Sequence, residues 1–126
     1  MNTHNCLLEL GSNLDGAARL ASARRALLVV FPDIRFSNEF ITEAIGSDFL
    51  SPFHNQTARF TTSLDADDIR SVLKAIEQAH GRLSEDKAKG IVKLDIDLLT
   101  LDKEILKPAD MEREFVKKGI KELSLH

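Results

Sequence analysis

The chain has 126 residues, a single cysteine (Cys6) and a formal net charge of −3; no internal disulfide can form, and the charge disfavours a general nucleic-acid binder. With 43% hydrophobic and 29% charged residues, the composition is that of an ordinary globular protein, and the length suits one domain spanning residues 1–126. No apolar run is long enough for a bilayer, and the opening Met-Asn-Thr-His-Asn lacks a signal peptide's basic start, so a cytoplasmic chain with no membrane partner is expected.

Asn5 to Leu10 reads as a strand that ends at Gly11-Ser12-Asn13. Leu20, Ala23, Leu27, Leu28 and Phe31 then keep helical spacing from about Asp15 to Phe31, where Pro32-Asp33 stops the helix. Ile34 to Thr42 alternates like a strand. Glu43 to Pro52 reads as a loop, and Phe53 to Ser63 as another strand. Asp65 is a good N-cap for a second helix, whose face carries Ile69, Val72, Leu73, Ile76 and His80 and which Gly81 ends. Leu83 to Gly90 is a charged loop. Val92 to Leu99 is the clearest strand, Thr100 to Lys107 a hairpin arm turning near Asp102-Lys103, and Asp110 to Leu123 a last amphipathic helix. The order implies an α+β, ferredoxin-like β-α-β-β-α-β plan, with helices on one face of an antiparallel sheet and a C-terminal hairpin arm and helix added. That fold hosts many functions and names none.

Alternation in Val92-Lys93-Leu94-Asp95-Ile96-Asp97-Leu98 sends Val92, Leu94, Ile96 and Leu98 to one face and Lys93, Asp95 and Asp97 to the other. The two carboxylates then stand about 6.5–7 Å apart by backbone spacing. Such a pair repels itself unless cations relieve it, and magnesium accepts one or two carboxylates together with substrate phosphates. An isolated Asp-x-Asp is more often the polar outer face of an edge strand. All nine lysines lie at Lys74 or later, in the same half as this pair, which fits an anionic partner and equally a solvated surface. His4, His54, His80 and His126 show no zinc-ligand spacing.

Five segments together resemble the hydroxymethyl-dihydropterin pyrophosphokinase family. Leu8-Glu9-Leu10-Gly11-Ser12-Asn13-Leu14 looks like its opening strand and turn. Phe53-His54-Asn55-Gln56-Thr57-Ala58 is similar to its aromatic-Leu-Asn-Ala-Ala strand, and Glu77 with Gly81-Arg82 to its helix end. Leu94-Asp95-Ile96-Asp97-Leu98-Leu99 matches its signature strand, and Met111-Glu112-Arg113-Glu114-Phe115-Val116 its last helix segment. The matches run in order from Leu8 to Leu123.

The resemblance implies ATP-dependent pyrophosphoryl transfer to the hydroxymethyl group of a reduced pterin, releasing AMP, in folate biosynthesis. It implies that Asp95 and Asp97 hold two magnesium ions on the ATP phosphates, with Arg82 a third catalytic group. Asn55 would hydrogen-bond the pterin, Phe53 and Phe115 would sandwich it, and Thr42 and Ile45 would line its pocket. Glu77, Arg82, Lys89, Lys93, Lys107 and Arg113 would face the nucleotide. The partners are then small molecules, ATP and a reduced pterin.

The chain departs from the family where a further arginine, a tryptophan and an Arg-Thr pair usually stand, here Ser84, Lys89 and Val92-Lys93. Lys107 and Met111 replace family histidines. Lysine is a point charge, whereas arginine offers a bidentate fork to phosphate. These replacements leave open a catalytically weak pterin-binding or regulatory module on the same fold.

Overall fold

Cys6, Leu8 and Leu10 alternate along the first strand and are all buried, the period of two that a strand needs to load one face. Leu7 and Glu9, on the opposite face, are buried too, which requires cover on both sides and places this strand centrally. The computed structural model describes residues 3–42 and 52–124. Its elements are β1 (His4–Ser12), α1 (Gly16–Val30), β2 (Arg35–Phe36), β3 (Phe40–Thr42), β4 (Phe53–Thr62), α2 (Ala66–Ala79), a 3-10 helix (Ser84–Lys89), β5 (Asp95–Leu101), β6 (Glu104–Ile105), α3 (Pro108–Met111) and α4 (Glu114–Ser124). The strands lie in the order β2-β4-β1-β5-β6, with β3 also on β4. Every pairing is antiparallel. With α1 and α2 against one face, the fold is ferredoxin-like.

The main core lies between that face and the two helices. Leu20, Ala23 and Leu27 of α1 and Ile69 and Leu73 of α2 pack on Leu8, Leu10, Ile96 and Leu98. Each fully buried leucine contributes about 1.5–3 kcal/mol of transfer free energy. The Phe31 and Phe60 rings meet at 4.2 Å between centroids, tilted by 31°. Asp65 caps α2 as expected: its Oδ1 accepts the Asp68 N–H at 2.9 Å. Asp102 turns the β5–β6 hairpin with φ of 54°, a left-handed conformation that aspartate tolerates. Its carboxylate accepts the Asn5 N–H at 2.8 Å and so ties the hairpin to β1.

The other face is covered by α4, where Leu7, Leu99, Phe115, Val116 and Leu123 form a second cluster. A register shift between Leu7 and Leu8 against β5 puts neighbouring Leu98 and Leu99 into opposite clusters. Gly119 lets α4 sit directly on β4: a Cβ there would overlap the Thr57 side chain. Thr57 is fully buried and cannot yield. Gly119→Ala is therefore expected to destabilise the fold by about 1–3 kcal/mol through overpacking, despite alanine's better helix propensity. Urea unfolding checks this, and an equal or higher midpoint would show that α4 can lift without cost.

Four expectations need correction. The strand read as Val92–Leu99 begins at Asp95 instead, and Val92 leaves the core alternation to line a cavity on the opposite side of the sheet. Ile34–Thr42 divides into β2 and β3, because Ser37 turns inward to accept the Thr57 N–H with its Oγ at 3.0 Å. The charged loop after α2 contains a 3-10 helix. The last helix is two, α3 and α4. The loop expected at Glu43–Pro52 lies outside the described residues up to position 51, and Ile45 with it. Among the described residues no helix is long and apolar enough to cross a membrane.

Candidate active site

Two rows of side chains cross the central strands on the face opposite α1 and α2. In the first, Gly11 of β1 stands between Asn55 of β4 and Asp95 of β5; in the second, Glu9 stands between Thr57 and Asp97. A residue and its partners on adjacent strands share a face, so both aspartates and Asn55 converge here. Gly11 keeps the first row low, since a Cβ there would come 3.2 Å from Asn55 Oδ1.

A cavity of about 560 Å³ opens over these rows, walled by Thr42, Phe53, Asn55, Val92, Asp95 and Phe115, among others. That volume suits a flat bicyclic molecule, and its walls are mostly apolar with a few polar groups, the usual form of a small-molecule site. The Asn55 amide is oriented, since its Nδ2 donates to Thr42 Oγ1 at 2.7 Å. Phe115 serves twice, in the α4 cluster and in the cavity wall.

A second cavity of about 230 Å³ is lined by Lys74, Glu77, Arg82, Asp95, Asp97 and Lys107, among others. Asp95 borders both cavities. Glu77 is buried although it lies off the apolar stripe of α2. Its Oε2 accepts the Ile96 N–H at 2.8 Å and Arg82 Nη1 at 2.9 Å. The same Arg82 nitrogen reaches Asp95 Oδ1 at 3.2 Å. This guanidinium links the end of α2 to the start of the aspartate strand.

The acidic groups are electrostatically strained. Burial, a hydrogen bond that protonated Asp97 donates to Asp95, and the Asp95 charge push Asp97 up to about 7. Burial and the Asp110 charge push Glu9 up to about 8, against a smaller pull from Arg113. Glu77 is also raised, by burial first, while the Ile96 N–H and Arg82 pull it back. Asp95 and Asp97 offer only oxygen donors from one face of β5, the donor set a hard divalent cation prefers, so the pair fits magnesium.

The segment before β5 is fastened by polar contacts as well as by the fully buried Leu94. Asn13 Nδ2 donates to the Gly90 carbonyl at 2.8 Å, and Asn13 Oδ1 accepts the Val92 N–H at 2.6 Å. The Gly-Ser-Asn turn is thus a staple as well as an entry to α1. Lys93 Nζ donates to the Gly81 carbonyl at 2.8 Å and lies 3.5 Å from Asp86. Lys93 therefore holds the loop and faces neither cavity. Lys89 is exposed on the 3-10 helix. Arg113 lines the larger cavity, not the smaller, and pairs with Asp110 at 3.2 Å and Glu9 at 3.7 Å.

Thus Asp95, Asp97, Glu77, Arg82 and Lys107 are brought together on one side, and Thr42, Phe53, Asn55 and Phe115 on the other. Sequence reading missed Glu9 and Asp110. Glu9 had a signal: a carboxylate inside Leu7-Leu8-Glu9-Leu10 interrupts a run that a strand covered on both faces fills with apolar side chains. Asp110 had none, since its approach depends on how α3 docks.

A family model described as 7,8-dihydro-6-hydroxymethylpterin-pyrophosphokinase matches residues 7–125, nearly the whole chain. The comparison with curated proteins finds no match.

Proposed function

The chain belongs to the 7,8-dihydro-6-hydroxymethylpterin-pyrophosphokinase family, and from that premise we propose that it transfers pyrophosphate from ATP to the hydroxymethyl group of 6-hydroxymethyl-7,8-dihydropterin, releasing AMP. The observation that carries this reading is Asp95 on the border of two cavities, one fit for a flat ring and one lined by cations. The pterin takes the larger, stacked between Phe53 and Phe115 and hydrogen-bonded by Asn55. The ATP phosphates take the smaller, against Arg82, Lys74 and Lys107.

Asp95 and Asp97 would hold magnesium, which when bound neutralises phosphate charge and polarises the acceptor oxygen. The protein's own part is alignment and charge, as in other phosphoryl transfers. Glu77 fixes Arg82 beside Asp95, so the guanidinium is positioned before substrate arrives. The apolar walls keep water from competing with the hydroxymethyl group. AMP release that requires added hydroxymethyl-dihydropterin is the test; release independent of the pterin, or none, would remove the assignment. Asn55→Ala is expected to weaken hydroxymethylpterin binding roughly tenfold, the worth of one to two hydrogen bonds. Calorimetric titration reads this, and an unchanged affinity would place the ring elsewhere.

One observation favours a second reading, a catalytically weak pterin-binding module. Val92 puts an apolar side chain in the wall at the place of the arginine in the family's Arg-Thr pair, and the neighbouring Lys93 is engaged with Gly81 and Asp86 and does not replace that cation. Titrating hydroxymethylpterin with and without a nonhydrolysable ATP analogue and magnesium separates the two. Enhancement by nucleotide supports the enzyme, and indifference supports the module.

A further inference from the structure

We propose that Glu9, Asp97 and Asp110 form a site of their own for one small divalent cation of the magnesium or manganese class, on the β1 side of the aspartate pair. The ligands come from β1, β5 and α3, and each offers a carboxylate oxygen within 4.8 Å of the others. Magnesium binds oxygen at about 2.0–2.1 Å, so neighbouring ligands on one octahedral ion stand about 2.9 Å apart. Small side-chain rotations close that gap.

The second observation is Glu9 itself. It is only 6% exposed, and its Oε2 is buried with no hydrogen-bond partner. A buried acceptor left without a donor is unfavourable, and a buried carboxylate more so. Arg113 does not satisfy it: the nearest approach is 3.7 Å, to the other oxygen. That guanidinium, itself 57% exposed, is divided between Glu9 and Asp110. Lys107 is the cation that acts on Asp97, and it lines the smaller cavity. A cation among the three carboxylates gives the orphaned oxygen a partner and offsets the excess charge. Three protein oxygens leave three octahedral positions for water or a substrate oxygen. The site is complete without nucleotide and needs neither Asp95 nor the transfer reaction.

The test is titration of the full chain with manganese alone, without nucleotide, followed by electron paramagnetic resonance. One manganese ion per chain is expected, and Glu9→Gln and Asp110→Asn should each weaken it on the order of tenfold or more. Asp95→Asn should leave the affinity near that of the unaltered chain. Manganese should also raise the melting temperature of the unaltered chain and not that of Glu9→Gln. Glu9→Gln preserves shape, and Asp110→Asn provides a half-buried alternative if the first variant misfolds. The proposal is overturned if no manganese binds, if both variants bind it as the unaltered chain does, or if Asp95→Asn loses as much as they do. AMP release is read separately: manganese held through Glu9 in a chain that releases no AMP would remove the proposed reaction and keep this site.

Discussion

Asp97→Ala is expected to lower pyrophosphoryl transfer by a factor on the order of 10³ or more, with the fold intact. Groups that stabilise developing charge in a water-poor site typically account for losses of 10²–10³ when one is removed. In the proposed reaction Asp97 would serve two roles, as a phosphate-side cation ligand and as the partner of Asp95, so its loss should reach the upper end. The side chain lies partly exposed at the margin of a cavity, and truncating it leaves no core void. Removing it also relieves an unfavourable carboxylate pair, so the melting temperature should hold or rise. Asp97→Asn should behave alike, because the amide keeps the shape and loses the charge. AMP release measured at saturating pterin and ATP decides the matter. Turnover within about tenfold of the parent would be too small a loss for a removed charge-stabilising ligand and would end the metal-ligand assignment.

The metal-free protein should become less stable as pH rises from about 5 to 8, contrary to the behaviour of proteins whose carboxylates are salt-bridged. Glu9 moves from an ordinary value of 4.5 to about 8 on folding, and Asp97 from 3.8 to about 7. Between those limits the native state holds protons that the unfolded chain has released. Stability is therefore fully present below the unfolded values and is lost as pH rises through the folded ones. One such group changes stability by at most about 1.4 kcal/mol per pH unit. Even a part of that is large beside a total of roughly 5–15 kcal/mol. Glu9→Gln cannot ionise and should flatten the slope. Denaturant midpoints across this range, in chelator, measure it. Parallel slopes for both proteins would mean that Glu9 ionises freely in the native state.

The architecture was legible because its signals are local. The Leu8 and Leu10 alternation, the Asp65 cap, Gly81 and the Asp102 turn each act within a few residues, and the ferredoxin-like order follows from them. The broken places have a common cause. Ser37 abandons its strand to bond Thr57, and Val92 leaves alternation because Asn13 holds its N–H. Both partners are distant in sequence, and no local pattern reports them.

The site divides in the same way. Asp95, Asp97 and Asn55 stand out through strand alternation and resemblance, and β1 brings them to one face. That Glu77 is buried, that Lys93 staples a loop and that Arg113 faces Glu9 were not legible, because each depends on where a long side chain ends. Sequence alone determined which strand carries the acids and which residue types face outward, since a backbone with a period of two leaves no choice of face. Only the tertiary structure decided that Glu9 and Asp110 join them, because charges from separate elements meet only after β1, β5 and α3 have packed.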